Sequence, residues 1–249
     1  MTLPPILVHD SLPSTNAEAM RLGLSGEPPP LWVRAERQTA GRGRSGRAWV
    51  SEPGNLYASL LVRLACPPGA LQHLSFVAAV ATVSAIRQCA GTMTLPLHLK
   101  WPNDILLDGA KLTGILPETT LLAGGGALAV IGIGVNLAHA PGGLGRSTTC
   151  LSAAGLDLTP AMMLEALAAE LQASLAQWAD GANFSAIRKR WLADGPTPGT
   201  LMAVHAGESV IAGQFRGLAD DGALILRDHS GYDHILTFGD VTLEAAHGG

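Results

Sequence analysis

Three arginines and three glycines, with no acidic residue among them, fill six of the seven positions from Gly41 to Arg47 (Gly-Arg-Gly-Arg-Ser-Gly-Arg), and Trp49 follows two residues on. Glycine at this spacing lets a backbone come close to a ligand and adopt turns other residues resist. Arginine adds a planar, permanently charged fork that matches carboxylate and phosphate oxygens. Together they describe a loop that closes over an anion, with Trp49 as an aromatic face for a ring. Arg34 and Arg37 lie just upstream, so five arginines form a local positive site in a chain of net charge −4. That contrast suits a small anionic ligand better than a long phosphate backbone.

Lysine is rare: Lys100, Lys111 and Lys189 are the only three among sixteen basic residues, and two of them fall in one short segment. Lys100-Trp101-Pro102-Asn103-Asp104 reads as a strand that proline interrupts, exposing an amide and a carboxylate at its end. Such a pair can fix a ribose, an adenine edge or a hydrated magnesium ion; an ordinary turn is the alternative. Lys111 opens an apolar strand and so sets an ammonium at the rim of the core, where it can neutralise a substrate carboxylate and then charge developing in a transition state. Gly114, three residues on, would let a ligand lie against the backbone. Gly132-Ile133-Gly134-Val135-Asn136 lacks the third glycine and the following helix of a dinucleotide fingerprint. It reads as a strand thinned by glycine for close approach, with Asn136 as a polar contact. Ser14, Thr15 and Asn16 at a helix start, and Gln38 just before the arginine loop, add neutral hydrogen-bonding groups. No histidine or cysteine spacing matches a zinc site, and neither a nucleophile elbow nor a Cys-x-x-Cys pair occurs.

Elements must hold these groups in place. Thr15-Asn16-Ala17-Glu18 has capping-box form, which predicts a helix from there to Gly23. Strands are expected over 31–37 and 56–64, flanking the arginine loop. A long alanine-rich helix is expected over 71–89, then strands near 97–101, 105–107, 112–118 and 128–136, with Asp108-Gly109 as a turn. Pro160 starts a helix whose apolar face runs through Leu164, Leu167, Leu171, Leu175 and Trp178, and a shorter one covers 184–191. Ala193-Asp-Gly-Pro-Thr-Pro-Gly199 is the best boundary, dividing residues 1–195 from 196–249. Beyond it come five short strands and no helix, the pattern of a small barrel. The several hairpins predict an α+β fold with a mixed sheet.

With 47% apolar and 14% charged residues the chain has ample core. The window 121–140 carries five glycines and reads as two strands about a turn, not a membrane span. Three widely spaced cysteines and a start without signal-peptide character imply a soluble, cytoplasmic protein.

Ser14-Thr15-Asn16, the run Gln38 to Arg47, Asn55-Leu56-Tyr57, Lys100 to Asp104, Lys111 to Leu116 and Gly132 to Asn136, in that order, resemble the catalytic part of biotin protein ligases. The likeness extends to the barrel-like tail. It implies a catalytic domain related to class II aminoacyl-tRNA synthetases followed by an SH3-like barrel. It implies biotin held by Ser14, Thr15, Asn16, Gln38, Gly41, Arg42, Gly43, Arg44, Lys111 and Gly114. The ATP side would comprise Arg44, Trp49, Asn103, Asp104, Lys111 and Asn136, with Lys111 and Arg44 as the catalytic cations. The implied reaction forms biotinyl-5′-AMP from biotin and Mg2+·ATP, then passes biotin to a lysine of a biotin carboxyl carrier domain. Some members of that family carry an N-terminal helix-turn-helix; Ser14 lies too near the start for one, so no DNA binding is expected. A homodimer through a sheet edge is a further expectation. A lipoate–protein ligase is the nearest rival reading, although its differently built phosphate loop is lacking here, and a non-catalytic nucleic-acid module is another.

Overall fold

A computed structural model describes residues 3–142, 145, 147–207 and 209–243. The chain opens with β1 (Ile6–Leu12), α1 (Thr15–Leu24), β2 (Leu31–Gln38) and β3 (Leu56–Leu64). Next come α2 (Leu74–Ala90) and a three-stranded meander of β4 (Leu97–Lys100), β5 (Asp104–Leu107) and β6 (Ala110–Lys111). The long hairpin β7 (Thr113–Leu121) and β8 (Ala127–Val135) precedes α3 (Pro160–Trp178) and α4 (Phe184–Asp194). The tail consists of β9 (Leu201–Ala206), β10 (Ser209–Leu218), β11 (Leu224–Arg227), β12 (Asp233–Leu236) and β13 (Asp240–Leu243).

The main sheet has the order β1-β2-β3-β8-β7. The β1–β2 pair is parallel and the other pairs antiparallel, so the sheet is mixed. Strand β1 is not among the expected elements: five of its seven residues are exposed and none is buried, so no core-facing pattern marks it in the sequence. Along the nine-residue strands β3 and β8, both expected, successive side chains point to opposite faces of the sheet, and both faces are buried. Leu56, Ala58, Leu60, Ala129, Ile131 and Ile133 join the large core against α2, α3 and α4. Leu61, Leu128 and Val130 turn the other way, against Ala19 of α1. Because α1 has ten residues, it covers only part of that second face. The remainder carries Tyr57, Ser59, Gly114, Gly132 and Gly134, and it forms one wall of a cleft.

The cap of α1 sits one residue earlier than the capping-box reading places it. Ser14 is the N-cap and its hydroxyl accepts from the Ala17 N–H, a contact of about 1 kcal/mol. Glu18 turns to Arg21 instead. The stretch 68–90 is long and apolar enough to cross a membrane, but most of it is buried here as core. The 121–140 window takes in the end of β7, the turn and all of β8, two strands about a turn as expected.

The tail strands pair antiparallel in the order β12-β11-β10-β9-β13, without a closing pair among the described residues. Met202, Val204, Phe215 and Leu226 belong to the same apolar cluster as Phe76 and Trp101. Trp101 Nε1 also donates to the Gly222 carbonyl at 3.0 Å, which ties the meander to the tail.

Candidate active site

One cleft of roughly 790 Å³, counted to its open mouth, lies on the face that α1 leaves bare. Its floor is neutral and hydrogen-bonded. Ser59, fully buried at the centre of β3, lies 2.7 Å from Thr15 Oγ1 and 2.6 Å from Asn16 Oδ1. Gln38 Oε1 accepts from the Thr15 N–H at 2.9 Å, and Gln38 Nε2 donates to Ser51 Oγ at 3.1 Å. Asn16 Nδ2 donates to the Leu116 carbonyl and to Glu118 Oε2 at 3.0 and 2.6 Å. The network ties five neutral side chains, Thr15, Asn16, Gln38, Ser51 and Ser59, to one another and to Glu118, which fixes their orientation.

The opposite wall is cationic. The loop 41–49 folds as a narrow hairpin, with Trp49 N–H donating to Gly41 O at 2.9 Å and Gly43 N–H to Arg47 O at 2.7 Å. From it Arg42, Gly43, Arg44 and Arg47 line the cleft, while Arg34 and Arg37 do not, and Arg34 pairs with Glu36 instead. The five-arginine site expected from the sequence is therefore a three-arginine site. Arg44 Nη1 donates to Asn103 Oδ1 at 3.3 Å. Arg47 meets Asp240 at 2.9 Å, and Lys100 Nζ donates to Val241 O at 3.2 Å. The tail strand β13 thus contributes Asp240 and Val241 to the cleft.

Lys111 and Asp104 are ion-paired, and Lys100 reaches the same carboxylate at 3.1 Å. Burial opposes ionisation of Asp104, but the ammoniums of Lys111 and then Lys100 outweigh it and hold its carboxyl below the usual range. A carboxylate between two lysines keeps both ammoniums aimed into the cleft. Asn103, expected to be exposed, is buried and donates to the Ile115 carbonyl, since the break at Pro102 leads straight into β5. Tyr57 also lines the cleft; burial pushes its phenol up to about 12, and it donates to Glu52 O at 2.8 Å.

Ser14, Thr15, Asn16, Gln38, Arg42, Gly43, Arg44, Trp49, Asn103, Asp104, Lys111 and Gly114 converge on this one cleft. Gly41 and Asn136 do not line it. A Cβ on Gly41 would fall 2.7 Å from Trp49 O, so its bareness serves the hairpin. Asn136 is buried behind the wall, its amide spent on the Thr149 carbonyl at 3.0 Å. There it steadies the segment whose Ser147 O and Thr149 N bond the Lys111 backbone. Sequence reasoning misses Ser59, Ser51, Glu118 and Asp240. Ser59 was within reach, being two residues from Tyr57 on the same strand face; nothing local marks Asp240. Among the described residues no group of three metal-binding side chains comes together.

The chain belongs to the biotin/lipoate A/B protein ligase family, whose model matches residues 8–136. The biotin–[acetyl-CoA-carboxylase] ligase of Paracoccus denitrificans is 40% identical over 88% of this chain and 92% of its own length. The bifunctional ligase/repressor BirA of Bacillus subtilis is 31% identical over 92% of this chain and 71% of its own. Among solved structures, biotin protein ligase from Aquifex aeolicus in complex with biotin and ATP shares the fold at a TM-score of 0.79, with 24% identity, 96% of this chain and 99% of that one. The Leishmania major ligase in complex with biotinyl-5-AMP matches at a TM-score of 0.65 and 25% identity, over 95% of this chain and 100% of that one.

Proposed function

We propose that this chain is an ATP-dependent biotin protein ligase. It activates biotin as biotinyl-5′-AMP and transfers it to a lysine of a biotin carboxyl carrier domain. The observation that carries this reading is the meeting, in one cleft, of a neutral hydrogen-bonding floor and a wall of cations. A vitamin with an uncharged ureido ring and an acid tail, next to a triphosphate, asks for both.

In the first step a biotin carboxylate oxygen attacks the α-phosphorus, and pyrophosphate leaves with its bonding electrons. In the second the acceptor amine attacks the acyl carbon, loses a proton, and AMP departs. Neither step requires an enzyme nucleophile. Alignment and charge neutralisation suffice, with each charged hydrogen bond contributing about 1.5–3 kcal/mol. Ser14, Thr15, Asn16 and Gln38 take the biotin ring. Arg42, Gly43 and Arg44 cover the junction of biotin and nucleotide. Lys111 neutralises the carboxylate and then the reacting phosphate. Trp49, Asn103 and Asp104 serve the nucleotide. Gly41 and Asn136 act from behind, through the Trp49 backbone and the Lys111 strand. Magnesium arrives as the counter-ion of ATP and not as a resident metal; the cleft carboxylates Asp104 and Asp240 are already paired with cations.

We further place the boundary between a catalytic domain, 1–195, and a tail domain, 196–249, in the Pro/Gly-rich stretch after α4. A cytoplasmic location agrees with three unbridged cysteines; burial pushes the Cys66 and Cys89 thiols up, away from reactivity. Homodimerisation would use a free edge of the main sheet, β1 or β7. No DNA contact is assigned.

The family also includes lipoate ligases, so the deciding assay is pyrophosphate exchange into ATP with biotin or lipoate as the acid. Exchange with biotin alone, followed by transfer of labelled biotin to a carrier-domain lysine, is the expected result. Exchange with lipoate alone, or with neither acid, would overturn the reading.

A further inference from the structure

Gly114 and Gly134 face each other directly across the β7–β8 ladder, and Tyr57 follows Gly134 in the same row on β3. Neither glycine has a positive φ, so the backbone there suits any residue. Only space demands glycine, and the space is already filled. A Cβ on Gly114 would lie 2.7, 2.9 and 3.0 Å from Cζ3, Cε3 and Cη2 of Trp49. One on Gly134 would lie 2.8, 2.9 and 3.0 Å from its Nε1, Cε2 and Cζ2. Near-equal distances to three ring atoms mean that the indole lies face-on against both glycines and bridges the strands. Its Nε1 is buried with no hydrogen-bond partner among the described residues, so the ring is held by shape. The neighbouring row works alike: Ser59, Gly132 and Leu116 align, and a Cβ on Gly132 would fall 2.1 Å from Asn16 Oδ1.

We propose that Gly114 and Gly134 are positioning residues whose missing side chains form a slot seating the Trp49 indole, and that this seat sets the register of the 42–47 loop before any substrate binds. Both glycines also line the cleft, so the row expected to admit ligand to the backbone admits a tryptophan as well. The Trp49 backbone is pinned as well, to Gly41 O at 2.9 Å and within 3.3 Å of Ser51 Oγ. One end of the arginine loop is therefore clamped at both backbone and ring, and Arg42, Arg44 and Arg47 are carried into the cleft from a fixed point. The indole face turned away from the sheet is left to a planar ligand.

The test is a mutant cycle with two readouts. Tryptic cleavage after Arg42, Arg44 or Arg47, mapped by mass in the ligand-free protein, reports loop docking alone. Biotin-dependent exchange at low ATP reports its consequence and rests on the proposed ligase function. Gly134→Ala is expected to speed loop cleavage about tenfold and to lower exchange about tenfold. Trp49→Ala should do the same, and adding Gly134→Ala to Trp49→Ala should change neither readout more than twofold. Should Gly134→Ala fail to fold while the double variant folds, the seat is likewise supported. Equal damage from Gly134→Ala in both backgrounds, unchanged cleavage in the single variant, or failure of both to fold would overturn it. A wild-type protein without exchange would sink the functional reading, and the cleavage comparison would still decide the seat.

Discussion

Arg47 and Asp240 form an ion pair at 2.9 Å across 193 positions of sequence, joining the arginine loop to the first residue of β13. Both side chains are about half exposed, so the pair contributes at most about 1 kcal/mol to stability. Its effect belongs to the loop, whose freedom it limits before nucleotide binds. Asp240→Ala should leave Tm within about 4 °C and raise the KM for ATP about fivefold, the equivalent of about 1 kcal/mol. Steady-state exchange kinetics beside a thermal melt check both; an unchanged KM would make the contact ornamental.

Asp104 is the common anchor of two cleft ammoniums. Asp104→Asn removes the carboxylate that pairs with both Lys100 and Lys111, and breaking a buried pair costs about 3–5 kcal/mol. Slight solvent access puts the expectation near about 3 kcal/mol in urea unfolding at pH 7. The folded carboxyl titrates below its unfolded value, so its contribution is complete above about pH 4 and is lost as pH falls through the lower folded value. The penalty of the variant should therefore be constant from pH 6 to 9 and shrink only in acid.

Lys111→Ala is the contrasting case. Asp104 keeps Lys100 at 3.1 Å, so folding should lose only about 1 kcal/mol. Adenylate formation should drop about 100-fold, the scale of removing one transition-state cation. Exchange near the wild-type rate would strike Lys111 from the chemistry.

Arg44→Gly removes the donors to Asn103 Oδ1 and the Gly239 carbonyl, the contacts that carry the loop across the cleft mouth. Adenylate should then leave before transfer. Bystander proteins mixed with the variant, biotin and ATP should acquire biotin on surface lysines, whereas wild type should label only the carrier domain.

His73 ties pH to folding. It stacks on Phe184 at a centroid distance of 3.7 Å, and its Nδ1 accepts from Trp178 Nε1 at 3.2 Å, a bond that requires the neutral ring. Burial lowers its pKa, and Asp221 offsets only part of that. The unfolded chain thus binds the proton first. Stability should be full above about pH 6.5 and decline as pH falls toward the folded value. His73→Gln keeps an acceptor without titrating. It should flatten the slope of unfolding free energy between pH 5 and 6.5; an unaltered slope would assign the acid sensitivity elsewhere.

The chemistry-bearing residues were legible because each lies in a short run whose types fit one task. The glycine-arginine loop, the lysine-to-aspartate strand end and the Ser14–Asn16 helix start all line the cleft, although an ordinary turn and a plain helix cap account for the last two until the motifs are taken together in order. The apolar runs 56–64 and 128–136 likewise located β3 and β8; both faces of these strands are buried, so their sequence shows no polar alternation. What folding decided was pairing. Only the register of β7 on β8 sets Gly114 opposite Gly134, and only loop packing fills that gap with Trp49. Only the tail sheet brings Asp240 to Arg47. Asn136 read as a ligand contact because the glycines before it allow close approach, but in the fold its amide donates to the Thr149 carbonyl. One-dimensional sequence records what a residue can do. Which partner it meets is fixed by long-range burial and sheet register, and these come into being only when distant segments pack.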